Sequence, residues 1–318
     1  MSTRSEARDT PGSAWPALPL EAWKDTYDTL HMWTQIVGKI AVAQSPLVNH
    51  WWQASLRVTS RGFSTLPLPH GSRTFQIAFD FSDSRLRIKS SDGGEGSVEL
   101  APRTVADFYG EVMHTLESMG LGVRIWTRPV EVADPIPFEL DTRHASYDPE
   151  YVRRFCSILG QADRVFSLFR SAYLGKVSPV QFFWGSFDLA VTRFSGRRAP
   201  EYTGGALNVA RWVMEEAYSH EVSSLGFWPG GGAVPYPAFY SYAYPEPAGF
   251  AAAPIRPDGA SYNRDIDEFI MPYDAVRAAG DPDAALLEFA QSSYEAAANR
   301  GGWDRAALER SSAKTGQG

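Results

Sequence analysis

A single cysteine, Cys156, in 318 residues excludes an intramolecular disulfide and a cysteine-based zinc cluster within the chain. It sits in an apolar helical pattern and reads as an inert packing residue, and such cysteine usage makes the cytoplasm the expected location. No apolar run approaches the roughly 20 residues of a membrane span, so no membrane partner is expected. The opening stretch 1–19 is polar and lacks the apolar core of a signal peptide. The net charge is −7, and the clustered Lys/Arg face that phosphate backbones require is missing, which argues against nucleic acid as a partner. There is no G-x-G-x-x-G turn and no Gly-Lys-Ser/Thr phosphate loop; Gly185-Ser186-Phe187 lacks the second glycine of a nucleophile elbow. No cofactor is implied.

What is present concentrates in one stretch. From Pro179 to Pro247, 15 of 69 residues are Phe, Tyr or Trp, against 13% for the whole chain, and none is Lys. Aromatic bodies with polar tips, interrupted by Gly and Pro, suit the wall of a small-molecule cleft; the same composition also suits a rigid core of twisted strands.

Hydrophobic content of 44% is enough to bury a large core. Apolar residues at Trp23, Tyr27, Leu30, Trp33, Val37, Ile40 and Ala41 predict a helix over 21–44, stopped by Pro46. A strand is expected from Trp51 through Thr59, then a meander of 75–81, 85–89 and 96–100 with turns at Ser82-Asp83-Ser84 and Asp92-Gly93-Gly94. Thr104 should cap a helix, followed by a strand over 123–126. Asp148 and Pro149 open what reads as the longest helix. Two strands within 180–194, a short helix over 207–218, a hairpin near 226–244 and a helix over 282–299 complete the pattern. The fold class is α+β, mostly antiparallel sheets with packed helices. The expected division is a disordered lead-in 1–19, an N-terminal half 20–135, a C-terminal half 136–305 packed against it, and a disordered tail 306–318. Both halves read helix, strands, helix. Laying Trp51 on Trp184 aligns Leu56 with Leu189, Val58 with Val191 and Thr59 with Thr192, which fits either an internal duplication or one composite sheet.

Three strings carry a resemblance: Phe183-Trp184-Gly185-Ser186-Phe187-Asp188-Leu189 with Arg193-Phe194-Ser195-Gly196-Arg197; Tyr218-Ser219-His220-Glu221 with Gly226-Phe227-Trp228-Pro229-Gly230; and the run from Phe239 to Pro247. With these the chain resembles the Domain of Unknown Function 5996 family, from about Trp15 to Trp303-Asp304-Arg305. The resemblance implies one continuous family domain and brings no activity or catalytic residue with it.

Function must therefore be read from side chains. His220 and Glu221 are the first catalytic candidates, an imidazole that titrates near neutrality beside a carboxylate. On a strand, adjacent side chains leave opposite faces, so this pairing needs a bulge or a helix end. Asp188 interrupts an apolar strand and must be paired or solvated; Arg193 is its local partner, or the anchor for an anionic substrate group. Tyr240, Tyr242 and Tyr244 repeat at period two, and Trp184, Trp228, Tyr240 and Tyr242 are the expected walls of the cleft. Asp141 and His144 could join His220 at a metal ion, although no H-x-x-x-H helix supplies further ligands. The leading expectation is a small-molecule enzyme using acid/base chemistry. The alternatives are a non-catalytic binding or scaffold protein and a metal-dependent enzyme using His144 and His220. Oligomeric state and substrate are not encoded in any motif.

Overall fold

The computed structural model describes residues 13–310. Helix α1 (Leu20–Gln44) follows the predicted span and, at 25 residues, is the longest helix. It is buried almost all round: Thr34 and Gln35 are enclosed along with Trp23, Leu30, Trp33, Ile36 and Ile40. Such burial makes it a central strut and obliges its polar side chains to find partners.

The first sheet comprises β1 (Arg57–Thr59), β2 (Gly62–Ser64), β3 (Leu68–His70), β4 (Arg73–Asp80), β5 (Arg85–Ser90) and β6 (Glu95–Glu99). Its order is β1-β2-β4-β5-β6, with β3 on β4. The meander is as the alternation predicts, and Phe75, Ile77, Phe79, Leu86, Ile88 and Val98 all face the core. The strand expected from Trp51 does not form there: Asn49–Trp51 is a 3-10 turn, with His50 and Trp51 both in left-handed backbone. Helix α2 (Val105–Ser118) begins at Thr104, whose hydroxyl accepts the Asp107 N–H at 3.0 Å. Residues 123–126, expected as a strand, run as irregular chain. Helix α3 (Pro149–Ser171) starts at the predicted cap, Asp148, which accepts the Glu150 N–H at 2.8 Å.

The second sheet comprises β7 (Gln181–Phe183), β8 (Asp188–Arg198), β9 (His220–Trp228), β10 (Ala238–Tyr244), β11 (Ser261–Asn263) and β12 (Glu268–Pro272), with α4 (Arg211–Ala217) between β8 and β9. Its order is β11-β12-β10-β9-β8-β7, antiparallel throughout. Helices α5 (Tyr273–Arg277), α6 (Pro282–Arg300) and α7 (Arg305–Leu308) follow. The strands form two sheets; under the sequence overlay Val58 and Thr59 of β1 fall on Val191 and Thr192 of β8, while Trp51 lies in a 3-10 turn and Trp184 in the β7–β8 turn. One bridge ties their adjoining edges, Leu56 and Phe182 exchanging backbone hydrogen bonds at 2.9 and 2.8 Å. A cluster of rings fills that junction: Phe63 stacks on Phe182 at 4.3 Å, and Phe187 packs on Phe155 at 5.4 Å and Phe182 at 5.0 Å. Each such pair adds about 0.5–1.5 kcal/mol beyond its buried area.

One hydrophobic cluster runs through both sheets and the helices from Trp15 to Ala298. Trp15 and Leu18, expected in a disordered lead-in, are buried, and the Tyr273 hydroxyl donates to the Pro16 carbonyl at 2.7 Å. Residues 1–12 and 311–318 of the expected lead-in and tail lie outside the described residues. Among the described residues, no helix is long and apolar enough to cross a membrane.

Candidate functional site

The two faces of the second sheet differ. Leu189, Val191, Leu225, Phe227, Phe239, Phe269 and Met271 leave one face into the core. The strand registers Ala190–Gly226–Tyr240–Ile270 and Thr192–Ser224–Tyr242 put small side chains at the centre of the other face. Only glycine fits at 226, because a Cβ there would run into the Tyr240 ring. The small floor lets that ring lie across β9 and reach β8, where its hydroxyl donates to Asp188 Oδ2. Ser186, exposed in the turn before β8, donates to Asp188 Oδ1. Asp188 is only 6% exposed, and both its oxygens are held by O–H donors rather than by a cation.

The charge of Asp188 reaches Tyr27 on α1, Glu131 on the long loop that crosses from α2 to α3 (the crossing loop), Tyr240 and Tyr242 on β10, and Glu268 on β12. Desolvation and that charge push Glu131 up to about 7 and Glu268 up to about 8. Burial raises Asp188 too, opposed by its two hydroxyl donors. Glu131 keeps exposed surface and Glu268 is half-buried, yet both carboxyls are desolvated. A carboxyl crowded by protein on most sides and reached by water from one satisfies both observations. Tyr242 is raised to about 12, mainly by burial. Of the three carboxyls, Asp188, with a hydroxyl donor on each oxygen, is the one best equipped to stay ionised.

Helix α1 supplies a second wall through one row of side chains four residues apart. Tyr27 packs edge-on to Phe187 at 4.9 Å, and His31 lies 5.1 Å from the same ring. The His31 Nε2 is 2.8 Å from the Gly185 carbonyl, so Nε2 carries the proton and donates. Burial lowers His31 to about 4, which keeps it neutral at physiological pH. Gln35 clamps the crossing loop, donating to the Val130 carbonyl at 2.8 Å and accepting its N–H at 2.9 Å. That clamp presents Glu131, whose left-handed backbone (φ 56°) brings its carboxylate against Gly185. Phe187, on the other side of Ser186, is also left-handed (φ 59°). Bulky residues in this region cost about 1–3 kcal/mol each and persist where their surroundings impose them.

The irregular segment 199–210 lies along the outer end of the phenol row. Tyr244 donates to the Glu201 carbonyl at 3.1 Å, Tyr202 stacks on Tyr218 at 4.4 Å, and the Tyr218 and Tyr242 hydroxyls meet at 3.0 Å. Its Leu207 carbonyl accepts the Glu131 N–H at 2.6 Å, tying it to the crossing loop.

Of the residues expected at a cleft, Asp188, Tyr240, Tyr242 and Trp228 are brought together, with Trp228 beside the Tyr27 phenol. Trp184 sits at the edge, packed on Gly38, with its indole N–H donating to the Ala54 carbonyl at 2.9 Å. The others are elsewhere. Arg193 alternates onto the core face, 1% exposed, its guanidinium 3.4 Å from the Phe169 ring centroid and 4.3 Å from that of Tyr294. It does not pair with Asp188, and burial lowers it to about 10. His220 and Glu221 diverge, as neighbours on β9 must. Glu221 accepts Ser195 Oγ at 2.8 Å and Arg197 at 2.7 Å, while the His220 ring lies 5.9 Å from that of His50. His144 is paired with Asp141 at 2.6 Å beside an open hollow of about 750 Å³ lined by Asp25, Asp28 and Arg143. That hollow is not where the raised carboxyls gather. His144 and His220 thus occupy separate clusters, and among the described residues no three His, Cys, Asp or Glu side chains are placed to hold a metal ion.

Sequence reasoning missed Glu131, Glu268, His31 and Ser186. Only His31 left a trace, as a polar residue four positions from Tyr27 and from Gln35 within an apolar helix. Cys156 packs against the core, and burial raises its thiol to about 11.

Neither a curated protein nor a solved structure matches the chain. The profile of a family of unknown function, DUF5996, matches residues 15–310, and the chain belongs to that family.

Proposed function

We propose that this protein is an enzyme that binds a small organic molecule in a hollow beside Asp188, on the face of the second sheet that carries Tyr240 and Tyr242, and works on it by acid/base chemistry. Asp188 is the ionised member, acting as base or as a fixed negative charge. Glu131 and Glu268, protonated over much of the neutral range, are the proton donors. Tyr240, Tyr242 and Trp228 supply contact area and Ser186 keeps Asp188 oriented. The observation that carries this reading is the convergence of five titratable side chains, from four separate segments, on the charge of Asp188. Environments that push neighbouring carboxyls apart in proton affinity are the usual signature of assigned acid and base roles.

An anionic ligand fits poorly, because Arg193 lies on the opposite face and no cation is among the groups shifting the three carboxyls. The substrate class is therefore neutral or cationic: a polyol, a sugar or an amine. A reducing, cytoplasmic setting suits the lone buried thiol. A thermal-shift panel at pH 7 tests the reading, comparing neutral polyols and sugars, amines, carboxylates and phosphates. Stabilisation by members of the first two groups, lost in Asp188→Asn, is the expected result. Stabilisation by carboxylates or phosphates alone would overturn it.

Non-catalytic binding by the same face is favoured by one observation: the phenols of Tyr218 and Tyr242 satisfy each other and Tyr202 stacks over them. Turnover of a bound panel member, assayed by mass spectrometry of the mixture, separates the two readings.

A further inference from the structure

A second group of reactive side chains lies at the other end of the same sheet face. Phe194 is six residues along β8 from Asp188, about 20 Å away at strand rise. Over it sits Lys176, its Nζ 4.7 Å from the Phe194 ring centroid and 5.5 Å from that of Trp52. The chain has five lysines. Lys24 and Lys89 are ion-paired to Asp28 at 2.6 Å and Glu95 at 3.1 Å. Among the described residues neither Lys39, which is buried with its Nζ 4.5 Å from the Trp126 ring centroid, nor Lys176 has an ion pair; of the two, Lys176 has an imidazole in reach, its Nζ lying 2.6 Å from the Nε2 of His50.

The tautomer of His50 follows from its other nitrogen. Nδ1 is 3.1 Å from the Ala217 carbonyl and must donate to it, which leaves a lone pair on Nε2. Lys176 therefore donates an N–H to a neutral imidazole. His50 is buried and held at a left-handed φ of 57°, next to Trp51 at 61°. The surrounding charged groups are Glu216 on α4, which accepts the His50 N–H at 3.3 Å, His220 on β9, and Arg198, paired across from His220 on β8. Burial lowers both Lys176 and His50.

We propose that Lys176 is a nucleophilic amine that forms an imine with an aldehyde or ketone, with His50 as the base that takes its proton. A half-buried amine against aromatic walls, with no carboxylate in ion-pair contact and only the nearby Glu216 favouring its charge, is a setting in which lysine attacks carbonyl carbon. In the first step a C–N bond forms as the C=O π bond opens, and one amine hydrogen passes through His50 Nε2 to the carbinolamine oxygen. In the second, the nitrogen gives up its remaining hydrogen as a proton, the hydroxyl leaves as water, and a C=N bond results. No oxidant or reductant is consumed. This inference does not depend on the Asp188 site.

The test uses the full chain with propanal and cyanoborohydride, which traps imines as stable propylamines, followed by peptide mass spectrometry of all five lysines. At pH 7, Lys176 is expected to be modified severalfold faster than Lys24 and Lys89, and His50→Gln is expected to bring it down to their rate. If that variant does not fold, the wild-type pH profile decides: Lys176 should approach its plateau at a lower pH than free butylamine treated alongside. Equal rates at Lys176, Lys24 and Lys89, a Lys176 pH profile parallel to that of butylamine, or a Lys176 rate unchanged in folded His50→Gln would overturn the proposal.

Discussion

Strand β8 buries two opposite charges five residues apart, one on each face, and they meet very different surroundings. Arg193, on the core face, is walled in by Phe169, Tyr173 and Tyr294 and donates to the Phe169 carbonyl. Asp188, on the opposite face, is held by two hydroxyls and acts on the carboxyls of Glu131 and Glu268, which keep some exposed surface. A buried charge is therefore no guide to function by itself. What separates the two is that ring faces enclose the Arg193 guanidinium, whereas Asp188 raises the proton affinity of two further carboxyls.

The contrast can be broken most severely at Arg193. Arg193→Ala leaves a cavity between three rings and an unpaired carbonyl, and urea unfolding should show a loss of about 2–5 kcal/mol. Ligand affinity per folded molecule should not change. Asp188→Asn should do the reverse: the chain stays folded, while the best stabilising ligand of the panel weakens at least about tenfold, ~1.4 kcal/mol by titration calorimetry. Carboxyl NMR of the same variant should show Glu131 and Glu268 titrating at lower pH, since a charge that raises both has gone.

The pH dependence sharpens the comparison further. Glu131 and Glu268 bind protons more tightly folded than unfolded, so their contribution is fully present below about pH 4.5 and is lost as pH rises toward 7 and 8. Urea midpoints of the wild type should fall between pH 5 and pH 8, and the Glu131→Gln, Glu268→Gln double variant should flatten that fall. The smallest effect belongs to Glu221→Ala, which removes a half-exposed pair with Arg197 worth about 0.2–1 kcal/mol. It should leave ligand binding in the Asp188 hollow untouched.

Legibility followed how local the cause was. The caps at Thr104 and Asp148 and the meander over β4, β5 and β6 could be read directly, because hydroxyl-to-amide bonds and period-two burial act over a few residues. The Tyr240–Tyr242 face was legible for the same reason. Residues 51–55 and 123–126 misled: their alternation is strand-like, but among the described residues neither segment gains a neighbouring strand to pair with. His220-Glu221 also misled, since adjacency in the chain is divergence on a strand.

By its own pattern the sequence determined the α+β class, the helix starts, the family and the concentration of rings on one stretch, all of which rest on periodicity and composition. It could not decide which polar groups share a site. Glu131 reaches Asp188 across 57 positions and Glu268 across 80, brought there by a loop clamped to α1 and by strand order. Proton affinities depend on the water excluded and the charges gathered at one point in space, and only the packed chain fixes those.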